Sequence, residues 1–200
     1  MDIVFNWFTD NYIEAVGTLL SIVYLIFSIK QNIWLWPLGI ISSAMYIYIF
    51  FIAKIYADMG LQVYYVLISI YGWYSWSSAN KRTSRSAKIN SIFHQNYLIF
   101  YLIVAAVILF ILLSQILLRC TDSNIPYLDA ITTSLSIIAT WMLAKKYIEH
   151  WFVWIVVDAL SSGIYIYKEL YFTVFLYLVY TLMAVIGYRE WNKDAKISLV

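Results

Sequence analysis

The 200-residue chain is 64% hydrophobic and only 12% charged, whereas soluble domains are about half apolar and about a quarter charged. With a mean hydropathy of +0.77 it reads as an integral membrane protein. A single cysteine, Cys120, excludes an internal disulfide and any cysteine-built metal cluster, and the formal net charge of +2 by itself points to no partner.

The chain starts without the basic residues of a signal peptide: Met1 to Tyr12 holds two acids and no Lys or Arg. The first apolar segment is therefore expected to be retained. A bilayer core needs about 20 mostly apolar residues per helix. Seven windows meet that requirement, at 12–30, 33–53, 58–76, 97–118, 127–145, 149–167 and 170–188. The connections "AKIYAD" and "YKELYF" are so short that the spans they join must form antiparallel hairpins. The connector 77–91, "SSANKRTSRSAKINS", is polar and basic, and reads as a topology signal rather than a nucleic-acid site.

An odd number of spans puts the two termini on opposite sides. The amino-terminal side then carries Lys54, Arg119 and Lys168. The other side carries Lys30, Lys81, Arg82, Arg85, Lys88, Lys145, Lys146, Arg189, Lys193 and Lys196. Basic residues accumulate on the cytoplasmic side of membrane proteins. The reading is an amino terminus outside and a carboxyl terminus in the cytoplasm.

The spans contain an internal repeat. Residues 12–76 align on 127–191 at a constant offset without a gap, and about 18 of the 65 pairs are identical. The identities include Lys30 with Lys145, Trp36 with Trp151, Tyr56 with Tyr171, Tyr65 with Tyr180, Gly72 with Gly187 and Trp76 with Trp191. The expected architecture is an all-α polytopic membrane protein, three helices plus one plus three. Residues 12–76 form the first repeat, 77–126 the basic loop and linker helix, 127–191 the second repeat, and 192–200 a cytoplasmic tail. Four spans separate equivalent helices, so the repeats run parallel, an arrangement found in transporters whose substrates bind near the midplane between the halves. The fourth span is almost devoid of polar groups and is expected to face lipid or another copy of the chain.

Polar residues inside the spans mark the candidate site. On the third span Gln62, Tyr65, Ser69 and Trp73 follow helical spacing and share one face. On the sixth, Trp151, Trp154, Asp158, Ser161 and Tyr165 do the same. Trp36 and Ser42 on the second span and Tyr177 on the seventh complete the candidate substrate-binding set. Several have plainer readings: Trp36 and Trp151 fit an aromatic belt, Ser42 and Ser161 fit close helix packing, and Gln62 fits a bridge between helices. Asp158 is harder to place in that way. An acid at mid-span costs about 2.5–3.5 kcal/mol on insertion scales, and no Lys or Arg occupies the middle of any span to pair with it. A ligand cation would supply the missing charge, and Trp and Tyr faces attract cations and stack on flat rings.

Enzyme signatures are missing. The chain has no GxxxxGK[ST] phosphate loop, no HExxH and no GxSxG. Asp158 and Ser162 lie four residues apart, which is a weak basis for an intramembrane hydrolase. No catalytic residue, metal ligand or cofactor is assigned.

The stretches "NIWLWPLGII", "KIYADMGLQVYYVLISIYGWYSW" and "WFVWIVVDALSSGIYIYKELYFTVFLYLVYTLMAVIGYREW" resemble the PnuC family of bacterial vitamin transporters, from Glu14 to Trp191. The resemblance implies a fold related to full-length SWEET sugar transporters in the opposite membrane orientation. It also implies facilitated diffusion of an unphosphorylated vitamin that a cytoplasmic kinase then traps. Nicotinamide riboside members of the family tend to carry asparagines where this chain has Ser42, Ser69 and Asp158. On that comparison thiamine is the expected substrate and nicotinamide riboside the alternative. An intramembrane enzyme or receptor is the remote one.

Overall fold

The computed structural model describes residues 12–52, 56–82, 89–94, 96–121, 124–167, 169 and 171–197. The expected basic residues Lys54, Arg85, Lys88 and Lys168 lie outside them. The described residues form seven α-helices: α1 (Tyr12–Ile29), α2 (Leu35–Ile52), α3 (Tyr56–Arg82), α4 (Asn96–Cys120), α5 (Pro126–Ala144), α6 (His150–Tyr167) and α7 (Tyr171–Ile197). A short 3-10 turn spans Ile92–His94. The number and order of helices match the seven expected spans. Two helices differ in length: α3 and α7, the last helix of each repeat, both reach 27 residues. Hydropathy falls after Trp76 and Tyr188, but the following "SSANKR" and "REWNKDAKI" contain no Pro or Gly to stop a helix. Each helix therefore runs on past the apolar stretch, and part of the 77–91 connector is helical.

Contacts between helices close a ring: α1 on α2, α2 on α3, α3 on α5, α5 on α6, α6 on α7, and α7 back on α1. Helix α4 stands outside the ring against α5. It is apolar along nearly all its length and mostly exposed, so its surface suits hydrocarbon rather than a core. Large apolar side chains are exposed around the bundle, among them Leu67, Phe100, Ile103 and Leu182. An apolar outside is what a bilayer requires and water opposes.

The repeat recurs at the level of single hydrogen bonds. Each first helix ends in a Schellman turn. Asn32 N–H donates to the Phe27 carbonyl at 2.8 Å and Gln31 N–H to the Ser28 carbonyl at 3.1 Å. In the second repeat Tyr147 N–H donates to Met142 and Lys146 N–H to Leu143, both at 2.9 Å. The residue after the cap is left-handed in both, Gln31 at φ 50° and Lys146 at φ 55°. Neither is glycine, so each repeat holds an ordinary residue in a conformation that costs about 1–2 kcal/mol.

Tryptophan on glycine locks each hairpin. A Cβ placed on Gly72 would lie 2.4 Å from the Trp36 ring, and one on Gly187 would lie 2.5 Å from Trp151. Only a bare Cα lets these rings approach so closely. Trp36 then meets Trp76 edge-on at 5.3 Å, as Trp151 meets Trp191 at 5.9 Å. The third helices also cross over. Trp76 Nε1–H donates to the Ala144 carbonyl of the second repeat at 3.2 Å, and Trp191 Nε1–H to the Ser28 carbonyl of the first at 3.1 Å. Trp76 and Trp191 touch at 6.4 Å, and His150 packs on Trp151 and Trp191. All five rings are buried. Together they plug the centre of the ring at the end that holds the α1–α2 and α5–α6 turns, called the basic end below.

Polar bonds lie over this plug. Lys146 Nζ–H donates to Gln31 Oε1 at 3.0 Å and sits 4.3 Å over the Trp76 ring. Gln31 Nε2–H donates to Asp194 Oδ2 at 2.8 Å. Lys146 lies in the α5–α6 turn, outside the spans. Burial pushes its ammonium down to about 8, against the pull of Asp194. The chain between α3 and α4 is tied to the same turn. Asn90 and the backbone around Tyr147 exchange bonds of 2.9 and 3.0 Å. Buried Glu149 accepts from the Ser91 hydroxyl and from Ile92 N–H.

Candidate functional site

Inside the ring is a cavity of about 300 Å³. Leu20, Ser21, Tyr24, Leu25 and Ser28 of α1 form one wall, and Leu38, Gly39, Ser42, Ser43 and Tyr46 of α2 the next. Helix α3 contributes Gln62, Tyr65 and Ser69; α5 contributes Thr140 and Leu143; α6 contributes Trp151, Trp154 and Asp158; α7 contributes Tyr180 and Ala184. All six ring helices take part and α4 does not. The wall reaches from mid-depth down to the aromatic plug, since Ser28, Leu143 and Trp151 stand at the basic end of their helices.

Seven of the eleven sequence-derived candidates line this cavity: Asp158, Trp151, Trp154, Gln62, Tyr65, Ser69 and Ser42. Four do not. Trp36 is fully buried against Gly72 and Trp76, behind the wall. Ser161 is buried one turn beyond Asp158. Tyr165 and Tyr177 pack on each other at 5.1 Å, further along α6 and α7. Helical spacing put Ser161 and Tyr165 on the face of Asp158, but depth along the helix separates them from the cavity.

Asp158 is the one charged side chain among the residues lining the cavity. It is 6% exposed, eight residues into α6, so about 12 Å from the start of that helix at 1.5 Å per residue. No Lys or Arg shares the wall, and no ion pair to Asp158 forms among the described residues. Its repeat partner is Ser43, and the repeat partner of Trp154 is Gly39. The acid and the Trp154 ring thus belong to the second repeat, while the first repeat is small at both equivalent positions. A Cβ on Gly39 would come within 2.9 Å of Ser69 Oγ, so glycine keeps that wall thin.

Residues on α1 and α5 were not anticipated. Tyr24, Ser21, Ser28 and Thr140 all line the cavity. Ser21 and Ser136 are identical repeat partners, and each bonds a tyrosine of the other repeat: Tyr180 engages Ser21 and Tyr65 engages Ser136. The identity of Ser21 with Ser136 in the repeat was the available signal.

A closed ring of two parallel three-helix repeats around one mid-depth cavity, outwardly apolar, defines a membrane transporter of small molecules. Comparison with known proteins narrows the class. The sequence model of the nicotinamide mononucleotide transporter family matches residues 11–193, and the chain belongs to that family, the PnuC vitamin transporters. It is 26% identical to the nicotinamide riboside transporter PnuC of Escherichia coli K12, over 93% of this chain and 87% of the relative. The nicotinamide riboside transporter PnuC of Neisseria mucosa is also 26% identical, over 97% and 77%. The riboflavin/roseoflavin transporter RibM of Streptomyces davaonensis is 24% identical, over 89% and 83%. A crystal structure of the vitamin B3 transporter PnuC superposes with a TM-score of 0.74 at 25% identity, covering 98% of this chain and 86% of that one.

Proposed function

We propose that the protein carries a compact, flat, cationic B vitamin, nicotinamide riboside first, across the bacterial inner membrane by facilitated diffusion. The observation that carries this reading is Asp158, an unneutralised acid beside Trp154 on a cavity wall without a single cationic side chain. A buried charge is retained when a partner neutralises it, and here a ligand cation is the partner on offer. The pyridinium ring of the riboside would rest against Trp154 with its charge near Asp158. Its hydroxyls would meet Ser42, Ser43, Ser69 and Gln62.

The same wall argues against a phosphorylated form. A phosphate brings about two negative charges at neutral pH, and Asp158 would oppose them with no Lys or Arg to help. The unphosphorylated nucleoside therefore fits better than the mononucleotide. Retention inside the cell would fall to a kinase that adds the phosphate after passage. The excess of basic residues at the plugged end supports a cytoplasmic placement of that end, with the amino terminus outside.

Thiamine is the second reading. It is favoured by Ser42, Ser69 and Asp158, the three positions where nicotinamide riboside members tend to carry asparagine, which all face one cavity. The names of the relatives favour nicotinamide riboside instead. Equilibrium binding to the purified protein separates the two. Nicotinamide riboside is expected to bind, and Asp158→Leu, which removes both the charge and the polar group, to weaken it at least tenfold without loss of the folded monodisperse protein. Unchanged affinity in Asp158→Leu would remove Asp158 from the site. Binding of thiamine but not of nicotinamide riboside would reverse the order of substrates.

A further inference from the structure

Tyr165 and Tyr177 share the site's helices but stand off its wall, and their arrangement is not that of simple filler. The Tyr165 and Tyr177 rings lie 5.1 Å apart at 31° with their side chains hydrogen-bonded. Tyr177 and Tyr180 lie 5.5 Å apart at 64°. Tyr180 is already on the cavity wall, and Asp158 is close enough to act electrostatically on both Tyr177 and Tyr180. The three rings therefore form a continuous series. It begins beside the acid and climbs away from the aromatic plug. Seven residues separate Asp158 from Tyr165 on α6, a rise of about 10 Å. All three rings are partly buried, each keeping some exposed surface.

The series exists in one repeat only. The repeat partners of Tyr165, Tyr177 and Tyr180 are Phe50, Gln62 and Tyr65, so the first repeat breaks it with an amide. It is built on the same helices as Asp158, whose own repeat partner is a serine. Packing needs alone would not place the acid and the ring series together on one side of a two-fold scaffold.

We infer that Tyr165, Tyr177 and Tyr180 form an access route for an organic cation, a ladder of ring faces that hands the charge from the end opposite the plug down to Asp158. Each ring face attracts a cation weakly, which is what a route needs: enough to replace part of the hydration shell, too little to hold the ligand. This rests on the reading of the cavity as a cation site, but it assigns Tyr165 and Tyr177 to the path and not to the resting place.

The test uses the full chain in proteoliposomes and in detergent. For Tyr177→Leu, the initial uptake rate of nicotinamide riboside below saturation is expected to fall about three- to tenfold, while equilibrium affinity in detergent changes less than twofold. Tyr177→Phe keeps the ring face and is expected to retain at least half the native rate. Uptake of neutral dihydronicotinamide riboside is expected to be unaffected by either change. Tyr165→Leu serves as a second variant with the same expected pattern should Tyr177→Leu misfold. An unchanged rate in the leucine variants, an equal loss for the neutral compound, or a parallel loss of affinity would each overturn the ladder. A native protein that binds no cation would overturn the cavity reading as well, a result visible before any variant is made.

Discussion

Gly187→Ala and Gly72→Ala are repeat-related changes that should destabilise alike and differ in function. A new Cβ at Gly187 would sit 2.5 Å from the Trp151 ring, and at Gly72 2.4 Å from Trp36. Carbon atoms pack at about 3.5–4.0 Å, so each ring must retreat by about 1 Å. Neither can do so freely. Trp151 is held between His150 at 4.5 Å and Trp191 at 5.9 Å, and Trp36 abuts Trp76 at 5.3 Å. Overpacking of this kind costs about 1–3 kcal/mol. For a chain of this length each kcal/mol lowers the melting temperature by roughly 2–4 °C, so a fall of roughly 2–12 °C is expected for both. Trp151 lines the cavity and Trp36 does not, so Gly187→Ala should also weaken vitamin binding severalfold while Gly72→Ala leaves it within about twofold. Thermal unfolding in detergent and equilibrium binding supply both readouts. Two unshifted melting curves would refute the Trp-on-Gly lock, and equal effects on binding would refute the asymmetry of the cavity.

Glu149→Gln should loosen the connector before α4. The buried carboxylate accepts from Ser91 and from Ile92 N–H, and charge-assisted bonds of this type contribute about 1.5–3 kcal/mol. Faster hydrogen exchange at the Ile92 amide is the expected sign, and unchanged exchange would count against the clamp. Lys146 should give stability a pH signature. Its folded value of about 8 lies below the ordinary 10.5 because burial disfavours the ammonium. Between those values the folded protein binds fewer protons than the unfolded chain, so stability rises with pH across the window from about 8 to 10.5. Lys146→Met should flatten that rise relative to the native protein; an identical slope in both would show that Lys146 is not its source.

Much of the fold was legible because a bilayer leaves few choices. Seven apolar windows became seven helices, and the constant offset between Trp36 and Trp151, or Gly72 and Gly187, foretold packing that recurs bond for bond. Helix ends were less legible, since hydropathy marks where lipid stops and not where helical geometry stops; α3 and α7 pass that point with nothing to break them. Asp158 stood out as a charge that insertion penalises, and its face carried Trp151 and Trp154 to the cavity with it. Trp36 shows the limit of symmetry. It shares the glycine contact and the edge-on tryptophan of Trp151 and still lies behind the wall. Tyr24, Ser28 and Thr140 were invisible because a hydroxyl inside a span reads as packing until the helix opposite it is known. The closure of α3 on α5 and of α7 on α1 could not be read at all, for a repeat in sequence says nothing of which repeat its last helix will hold.

Uptake into sealed proteoliposomes tests the central claim most directly. The purified protein is reconstituted without ATP or ion gradients, the membrane potential is clamped at zero, and labelled nicotinamide riboside is followed to equilibrium. Facilitated diffusion through the Asp158 cavity predicts saturable uptake that ends at equal concentrations inside and out, and that Asp158→Leu slows at subsaturating substrate. Uptake no faster than into protein-free liposomes, or accumulation beyond equality, would contradict it.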